Sequence, residues 1–241
     1  MRARAELVVG PSSSERMGFR VERMVSEAPL AWRPTPDGVY MIGTSASPVG
    51  DDRVDVVARV RAGAHVAIRS TAAMIAWSGR GSRHRISIEV EEGGQLDWLP
   101  EPLVATAGCD HDQRATVQLA AGSRLHWRET LVFGRAGEAA GRLRAHLSVD
   151  RAGLPILRHE ISTAVEAVWT SPAVMGDNRV AGMVLRVDHS APEPEQAAGE
   201  GWAVQPLHAG GVLTLAVGPD VPTVSSRLAA ARAPTPNSRG R

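Results

Sequence analysis

A strict alternation of apolar and polar residues is the feature that most constrains what this chain can fold into. It recurs in four segments, at 54–60, 86–90, 115–119 and 143–149. A period of two matches the side chains of a β-strand, which point alternately to opposite faces, whereas a helix repeats every 3.6 residues. Each segment is therefore predicted to be a strand with one buried face and one solvent-exposed face.

A glycine follows each of these segments at a nearly constant interval. The four glycines are Gly63, Gly93, Gly122 and Gly153, which are 30, 29 and 31 residues apart. Glycine adopts positive φ angles easily and therefore suits a tight reversal of the chain. A strand, a glycine turn and a returning strand at this spacing indicate either stacked β-hairpins or a coarse solenoid.

Signals for helices are few. The most regular predicted helix covers 223–233, with an N-cap candidate at its start and Pro234 closing it. Residues 176–185 fit a short helix or a loop, and residues 191–201 read as a surface loop. Nothing requires a second domain, so we expect one β domain over 1–233 and a basic disordered tail over 234–241.

The charges of the chain are balanced, with 27 basic residues, 26 acidic residues and a formal net charge of +1. This balance provides no overall field that would attract nucleic acid or an acidic membrane surface, so neither is expected as a partner. The sequence contains no lysine, so every basic residue is an arginine. A Walker A phosphate loop and a Schiff-base enzyme both need a lysine, and both are therefore excluded.

The compartment is indicated by cysteine usage and by the N-terminal residues. The single cysteine, Cys109, excludes an internal disulfide and suits a reducing environment. The first residues, MRARAELVVG, lack the apolar run of a signal peptide, and no stretch approaches the length of a membrane span. We therefore expect a soluble cytoplasmic protein.

The densest set of metal-ligand residue types is Cys109-Asp110-His111-Asp112. Thiolate, imidazole and carboxylate groups can together hold Zn²⁺, Cu or Ni²⁺. Four adjacent residues cannot close a rigid site alone, and no second cysteine or His-x-His pattern stands nearby. One interpretation is a polar loop in which Cys109→Ala would leave stability nearly unchanged. The other is a weak, transient nickel contact at Cys109 and His111.

Glu129 breaks the apolar phase of its own segment. Leu125, Trp127, Leu131 and Phe133 share that phase with it. A buried carboxylate is unfavourable unless it is paired, hydrogen-bonded or facing a hydrated cavity. A salt bridge to an arginine or a β-bulge that turns the side chain outward would explain it structurally. The functional explanation is a strand that lines a polar channel or an interface.

An ordered set of short motifs resembles the UreD (also called UreH) family of urease accessory proteins. The resemblance is carried by WRETLVFGRAGE, in which a Glu, an apolar strand, Gly-Arg and Gly-Glu follow in order. Earlier in the chain, and in the order of the family, are APLAW, VYMIGTSASPVGDDRVDV, STAAMIAW and GGQLDWLPEPLV. The chain departs from the family where Gly50-Asp51-Asp52 replaces Gly-Gly-Asp and where Glu101-Pro102-Leu103 follows Leu-Pro.

The resemblance implies both a fold and a function. The fold is an all-β, β-helix-like stack of sheets with about two helices, mainly near the C-terminus. The function is that of a metallochaperone scaffold without enzymatic activity or a tightly bound cofactor. Such a protein binds urease apoprotein, recruits the accessory protein UreF and the GTPase UreG, and helps to pass nickel to the urease active site through an internal tunnel. The residues that match the family pattern, and are expected at the tunnel or a partner interface, are Asp52, Glu129, Arg135 and Glu138.

Two other interpretations remain open on the residues alone. The chain could be an unrelated β-solenoid interaction module, in which the likeness is no deeper than the strand-glycine-strand period. It could also be an independent metalloenzyme built around Cys109 and His111, although two such residues supply too few ligands.

Overall fold

The computed structural model describes residues 1–13, 18–188, 195–208 and 210–231. These residues form eighteen strands and two helices. In chain order they are β1 Arg2–Gly10, β2 Arg20–Val25, β3 Leu30–Thr35, β4 Gly38–Gly43, β5 Arg53–Val60, β6 His65–Ser70, β7 Met74–Ala76, β8 Ser82–Val90, β9 Gln95–Leu99, β10 Leu103–Ala105, β11 Asp110–Leu119, β12 Arg124–Phe133, β13 Arg142–Arg151, β14 Leu154–Ser162, α1 Glu166–Trp169, β15 Val180–Val187, β16 Ala197–Gly199, β17 Trp202–Pro206, β18 Val212–Gly218 and α2 Val221–Ala230.

The strands form two facing sheets. The first sheet has the order β14-β13-β11-β8-β5-β1-β2, and the second has the order β16-β17-β18-β15-β12-β9-β6-β4-β3. The four alternating segments predicted from the sequence are β5, β8, β11 and β13, and they pair side by side in parallel. Their returning strands β6, β9 and β12 pair in parallel in the second sheet. The all-β, solenoid-like prediction is confirmed.

Three of the repeated glycines turn the chain from one sheet to the other. Gly63, Gly93 and Gly122 have φ angles of 71°, 66° and 70°. In each turn the residue after the glycine donates its backbone N–H to the carbonyl three residues earlier. This arrangement is that of a type II turn, whose third residue needs a positive φ. The repeat is therefore a rung of a solenoid.

Gly153 belongs to a different kind of turn. Ala152 and Gly153 both have positive φ angles, 49° and 79°, and Arg151 is paired with Leu154 across the turn. Two central residues with positive φ make a two-residue hairpin of type I′. Strand β14 therefore returns antiparallel to β13 within the same sheet. This explains why the fourth glycine comes one residue later than the other three, and it ends the parallel ladder.

The C-terminal helix begins earlier than the sequence predicted. Helix α2 covers Val221–Ala230, and its N-cap is Asp220, which accepts a hydrogen bond from the Thr223 N–H at 2.8 Å. Pro222 lies in the first turn, where its missing N–H needs no partner. The Thr223 start was therefore wrong. Pro234 and the predicted tail, 234–241, lie outside the described residues.

Two loop predictions are corrected. Strand β15 occupies most of 176–185, and it was missed because it is buried on both faces and therefore shows no alternation. Its outer face is covered by α2, where Gly182 approaches Val224 and Leu228. Within 191–201, β16 forms a short hairpin with β17, while 189–194 lie outside the described residues. No helix in the described ranges is long and apolar enough to cross a membrane.

The buried apolar residues form three clusters. The largest fills the space between the sheets near the glycine turns, and Trp98 stacks on Trp127 there at 5.2 Å between ring centroids. A second cluster at the opposite end contains Leu131, Phe133 and Leu143. A third lies beneath α2. The first and second clusters are separate, and the polar site described below lies where one gives way to the other.

Replacement of a turn glycine should destabilise the protein through its φ angle alone. A Cβ at Gly93 would meet only ordinary contacts, but the left-handed conformation disfavours alanine by about 1–2 kcal/mol. We expect Gly93→Ala to lower the free energy of unfolding by that amount, and Gly93→Asn by less. Gly43→Ala is the control, since Gly43 is exposed, has open space and lacks a positive φ. Equal effects in urea titrations would contradict the turn assignment.

Candidate functional site

The polar residues inside the molecule gather at the end opposite the glycine turns. Strands β8 and β11 both begin there, and the inward side chains at their starts are Ser82, His84, His111 and Gln113. The strands pair in register, so Ser82 lies beside His111 and His84 lies beside Gln113. The later inward residues of both strands are apolar. Parallel pairing therefore collects the polar residues of successive rungs into one cluster.

A cavity of about 310 Å³ opens between the sheets at this polar end. Its walls include Ile86 and Trp98 from the first apolar cluster and Leu103 from the second. His84 and Gln113 line it from the first sheet, and Glu129 lines it from the second. An apolar cavity with a few convergent polar groups is the usual form of a binding site.

Glu129 faces this cavity from strand β12. Its Oε1 accepts a hydrogen bond from Gln113 Nε2 at 2.7 Å. Strand β12 pairs with β15 without a register shift, so no bulge turns Glu129 outward. Among the described residues no ion pair reaches it, and Arg128 instead points to the carbonyls of Leu99 and Pro100. Neither structural explanation for this carboxylate therefore applies.

The protonated and ionised forms of Glu129 are both populated near neutral pH. Burial raises the pKa of the carboxyl to about 7, and the hydrogen bond from Gln113 opposes the rise. Part of the side chain has surface exposure because it borders the cavity. A carboxyl in this state is partly ionised at neutral pH, and its ionised fraction is available to a cation.

His84 is a neutral base that lines the same cavity as Glu129. The side chain is 6% exposed, and neither ring nitrogen has a hydrogen-bond partner among the described residues. Burial lowers the pKa of the imidazole to about 4, while Gln113 and Asp55 partly oppose the shift. A neutral imidazole with an unshared lone pair is a common ligand for transition metals. His84 therefore adds a nitrogen donor to the carboxylate oxygen of Glu129.

Asp52 stabilises a turn at the rim of the cavity. It is 4% exposed, and its carboxylate accepts hydrogen bonds from Ser47 Oγ at 2.9 Å and from the Val49 N–H at 3.1 Å. The Met1 amino group also donates to it at 2.9 Å. Burial disfavours its ionisation, but these donors hold the pKa below its ordinary value. Ser47 and Pro48 line the cavity, so Asp52 fixes the turn that borders the opening.

Arg135 and Glu138 lie on a loop near the same rim. Arg135 Nε donates to Glu138 Oε1 at 2.8 Å, and this pairing lowers the pKa of Glu138 to about 2. The guanidinium lies 5.6 Å from the ring centroid of Trp77, which lines the cavity. Arg179 donates to the carbonyls of Phe133, Arg135 and Glu138 and so clamps this loop. The Arg135–Glu138 ion pair therefore helps to fix a surface loop beside the opening of the cavity.

Cys109 lies in the connection just before β11, as the loop interpretation predicted, but it is buried there, and Asp110, His111 and Asp112 already belong to the strand. The Cys109 side chain is 3% exposed and packs with Leu131, Phe133 and Leu143 in the second apolar cluster. Burial, helped by the charge of Asp110, raises the pKa of the thiol to about 11. A metal binds the thiolate, which is scarce at neutral pH when the pKa is this high. The packing therefore favours a structural role.

His111 is also buried, at 1% exposure. Its Nδ1 forms a hydrogen bond with Ser82 Oγ at 2.9 Å, and burial lowers its pKa to about 3. It borders a second cavity of about 230 Å³ with Asp110 and Asp112. The described residues contain no group of three or more His, Cys, Asp or Glu side chains placed to hold a metal. A nickel role for Cys109 and His111 stays a prediction, and the geometry weighs against it.

The sequence analysis overlooked His84 and Gln113, although a signal for both was present. The apolar phases of 86–90 and 115–119 extend two residues backwards onto these positions. The same extension from Gln113 reaches His111 and Cys109, which places them inward as well. Continuing the alternation past the first polar residue would have predicted all four.

Cys109 should resist thiol reagents in the native state, because it is buried and protonated. We expect negligible labelling by a maleimide at pH 7.5 and complete labelling in denaturant. Cys109→Ala should lower the free energy of unfolding by about 1 kcal/mol, since it leaves a small void in the core. Rapid native labelling with unchanged stability would restore the loop interpretation.

Glu129→Gln should change how stability depends on pH. The folded-state pKa of about 7 lies above the ordinary value of 4.5. The proton-linked contribution to stability is therefore complete below pH 4.5 and is lost as the pH rises through 7. We expect the variant to exceed the wild type by about 1–3 kcal/mol at pH 8 and to approach it towards pH 5. Unfolding titrations at three pH values measure the difference, with Glu89→Gln, an exposed outer-face control, showing no such gain. A pH-independent difference would contradict the desolvation.

Comparison with known proteins identifies the family of this chain. The family described as UreD urease accessory protein matches residues 1–237. Urease accessory protein UreD 1 of Saccharopolyspora erythraea is 35% identical, over 96% of this chain and 94% of that protein. Urease accessory protein UreD 3 of Streptomyces griseus is 35% identical, over 91% of each chain. Urease accessory protein UreD of Streptomyces coelicolor is 35% identical, over 85% of this chain and 86% of that protein. With the motif resemblance thus confirmed, the chain belongs to the UreD family of urease accessory proteins.

Proposed function

We propose that this protein is a cytoplasmic urease maturation factor that acts by binding rather than by catalysis. It binds urease apoprotein together with UreF and the GTPase UreG, and nickel in transit passes through its interior. The observation that carries the nickel role is the inter-sheet cavity into which Glu129 and the unpartnered imidazole of His84 project. Membership of the UreD family supports the urease role.

The donor set of the cavity suits Ni²⁺. Imidazole nitrogen combined with carboxylate oxygen favours borderline transition metals over Mg²⁺ and Ca²⁺, which prefer oxygen alone. A volume of about 310 Å³ equals the liquid volume of roughly ten waters. An ion can therefore remain partly hydrated while it exchanges one or two waters for Glu129 and His84.

Weak binding is what transit requires. A conducting site must hold an ion firmly enough for it to enter and loosely enough for it to leave. Two donors from the protein are fewer than the three or four of a stable metal site. Glu129 adds a release mechanism, because with a pKa of about 7 it can take up a proton as the ion departs. The cavity therefore favours passage over storage.

The rim of the cavity is a suitable place for a partner to dock. Asp52 fixes one side of the opening, and the Arg135–Glu138 pair shapes the loop beside Trp77. Both are held by several hydrogen bonds, so the rim is ordered before a partner arrives. A partner that binds there would extend the cavity into a continuous path. Nucleotide hydrolysis belongs to the partner, since this chain has no lysine for a Walker A loop.

The test is nickel loading of urease co-expressed with this protein and its accessory partners. Glu129→Gln keeps the shape and the hydrogen bond to Gln113 but removes the charge that attracts a cation. We expect soluble protein that assembles normally and urease that contains several-fold less nickel, measured by metal analysis of purified urease. His84→Gln should act in the same direction, and the double variant should be lower than either single one.

Glu89→Gln is the matched control, because Glu89 lies on the outer face of β8, where it pairs with Arg59. It should leave nickel loading unchanged. Full loading by the Glu129 variant would remove this residue from the ion path. Failure of that variant to assemble would instead assign it a structural role. Equal loading with and without this protein would contradict the maturation function itself.

A further inference from the structure

Four arginines form a cluster on the outer face of the first sheet. Arg2, Arg53 and Arg83 lie side by side in one row across β1, β5 and β8. Arg85 lies on the same face of β8, two residues further along the strand. We call these four residues the arginine patch. Adjacent strands are about 4.8 Å apart, so the like charges of this row are close neighbours.

No ion pair joins the arginine patch to a carboxylate of the described part of the chain, although two aspartates border it in the ladder. Asp112 of β11 lies beside Arg83, and Asp55 of β5 lies beside Arg85. The next row contains Arg4 and Asp55 beside Arg85, so these two rows together carry five arginines and one aspartate on three strands. Like charges placed directly opposite each other destabilise a sheet. The fold therefore tolerates a repulsive arrangement here.

The other end of the same three strands is arranged differently. Its outward charges are Glu6, Arg59 and Glu89, and each forms an ion pair. Arg59 Nε lies 2.7 Å from Glu89 Oε2, and Arg23 Nε lies 3.1 Å from Glu6 Oε1. In one half of this face the charges are therefore paired, whereas in the basic half the four arginines of the patch form no ion pair and only Arg4 is paired, with Glu6 at 3.7 Å. A general surplus of arginine would not produce this separation.

We infer that the arginine patch is a docking surface for an acidic segment of a partner protein. Guanidinium groups bind carboxylates through paired hydrogen bonds. Side chains three or four residues apart on a helix are separated by about 5–6 Å, close to the spacing of the arginine row. A helix that carries glutamates or aspartates at this interval and crosses the strands would pair with the row. This surface is independent of the nickel path through the interior.

The size of the patch argues for a protein rather than a nucleic acid. The row of three arginines spans roughly 10 Å, which is enough for only a few phosphates of one DNA strand. The net charge of the whole chain is +1, so no long-range field supports binding of a polyanion. The matching partner is a short cluster of carboxylates.

The experiment uses the full-length protein and a 20-residue synthetic helix with glutamate at every fourth position, with a glutamine analogue as the neutral probe. By fluorescence anisotropy we expect the acidic helix to bind and the analogue not to bind. R53Q/R83Q/R85Q should weaken binding about 10-fold, and raising the salt from 50 to 300 mM should also weaken it.

R59Q/R61Q/R158Q is the matched control, since it removes the same charge from arginines that are paired with carboxylates. It should change affinity less than 2-fold, and thermal unfolding verifies that both variants fold. Equal losses in the two variants would show an effect of net charge and overturn the proposal. So would absence of binding, or tighter binding of a DNA duplex that the patch variant also loses.

Discussion

Parallel pairing in register decides which side chains meet inside this molecule. Because β5, β8 and β11 are about one 30-residue rung apart, equivalent positions of successive rungs become neighbours in the ladder. Apolar residues lie against apolar ones along most of the ladder, and the inward polar residues of β8 and β11 lie against each other, while apolar residues of β5 and β13 flank them. Ser82 beside His111 and His84 beside Gln113 follow from this rule. A single polar residue in such a ladder would be isolated, whereas polar residues in two adjacent rungs can hydrogen-bond to each other, as Ser82 and His111 do.

Burial of the apolar residues near the glycine turns offsets the unfavourable burial of polar groups at the other end of the strands. Near the glycine turns the inward residues are buried and apolar, and the stacked Trp98 and Trp127 belong to the same apolar cluster, which Trp98 extends to the wall of the cavity. Burial of a large apolar side chain contributes about 1.5–3 kcal/mol. The desolvation of Glu129 opposes folding by about that amount at neutral pH, so one or two such side chains offset it. The site can therefore keep a carboxyl with a pKa of about 7 without endangering the fold.

Much of the fold could be predicted from the local sequence pattern, because a strand with one solvent-exposed face alternates apolar and polar residues. Strand β15 could not, since α2 covers its outer face and removes the alternation. The inward direction of Glu129 was readable from its phase. Its partner Gln113 was not, because the two belong to facing sheets and no local pattern encodes which residues oppose each other. The burial of Cys109 was missed for a related reason, because its polar neighbours Asp110 and Asp112 give no sign that the connection before β11 packs into an apolar cluster.

Because successive side chains of a strand point to opposite faces of the sheet, one strand contributes residues to two different surfaces. On β8, His84 points into the cavity while Arg83 and Arg85, its neighbours in sequence, point to the outer face. Burial lowers the pKa of His84 to about 4, so its imidazole is neutral at neutral pH, whereas Arg83 and Arg85 are exposed to solvent and stay charged. One strand therefore supplies a neutral donor to the cavity and permanent positive charge to the outer face. A substitution at Arg83 or Arg85 can change the outer surface while the inward residues of β8 keep their packing.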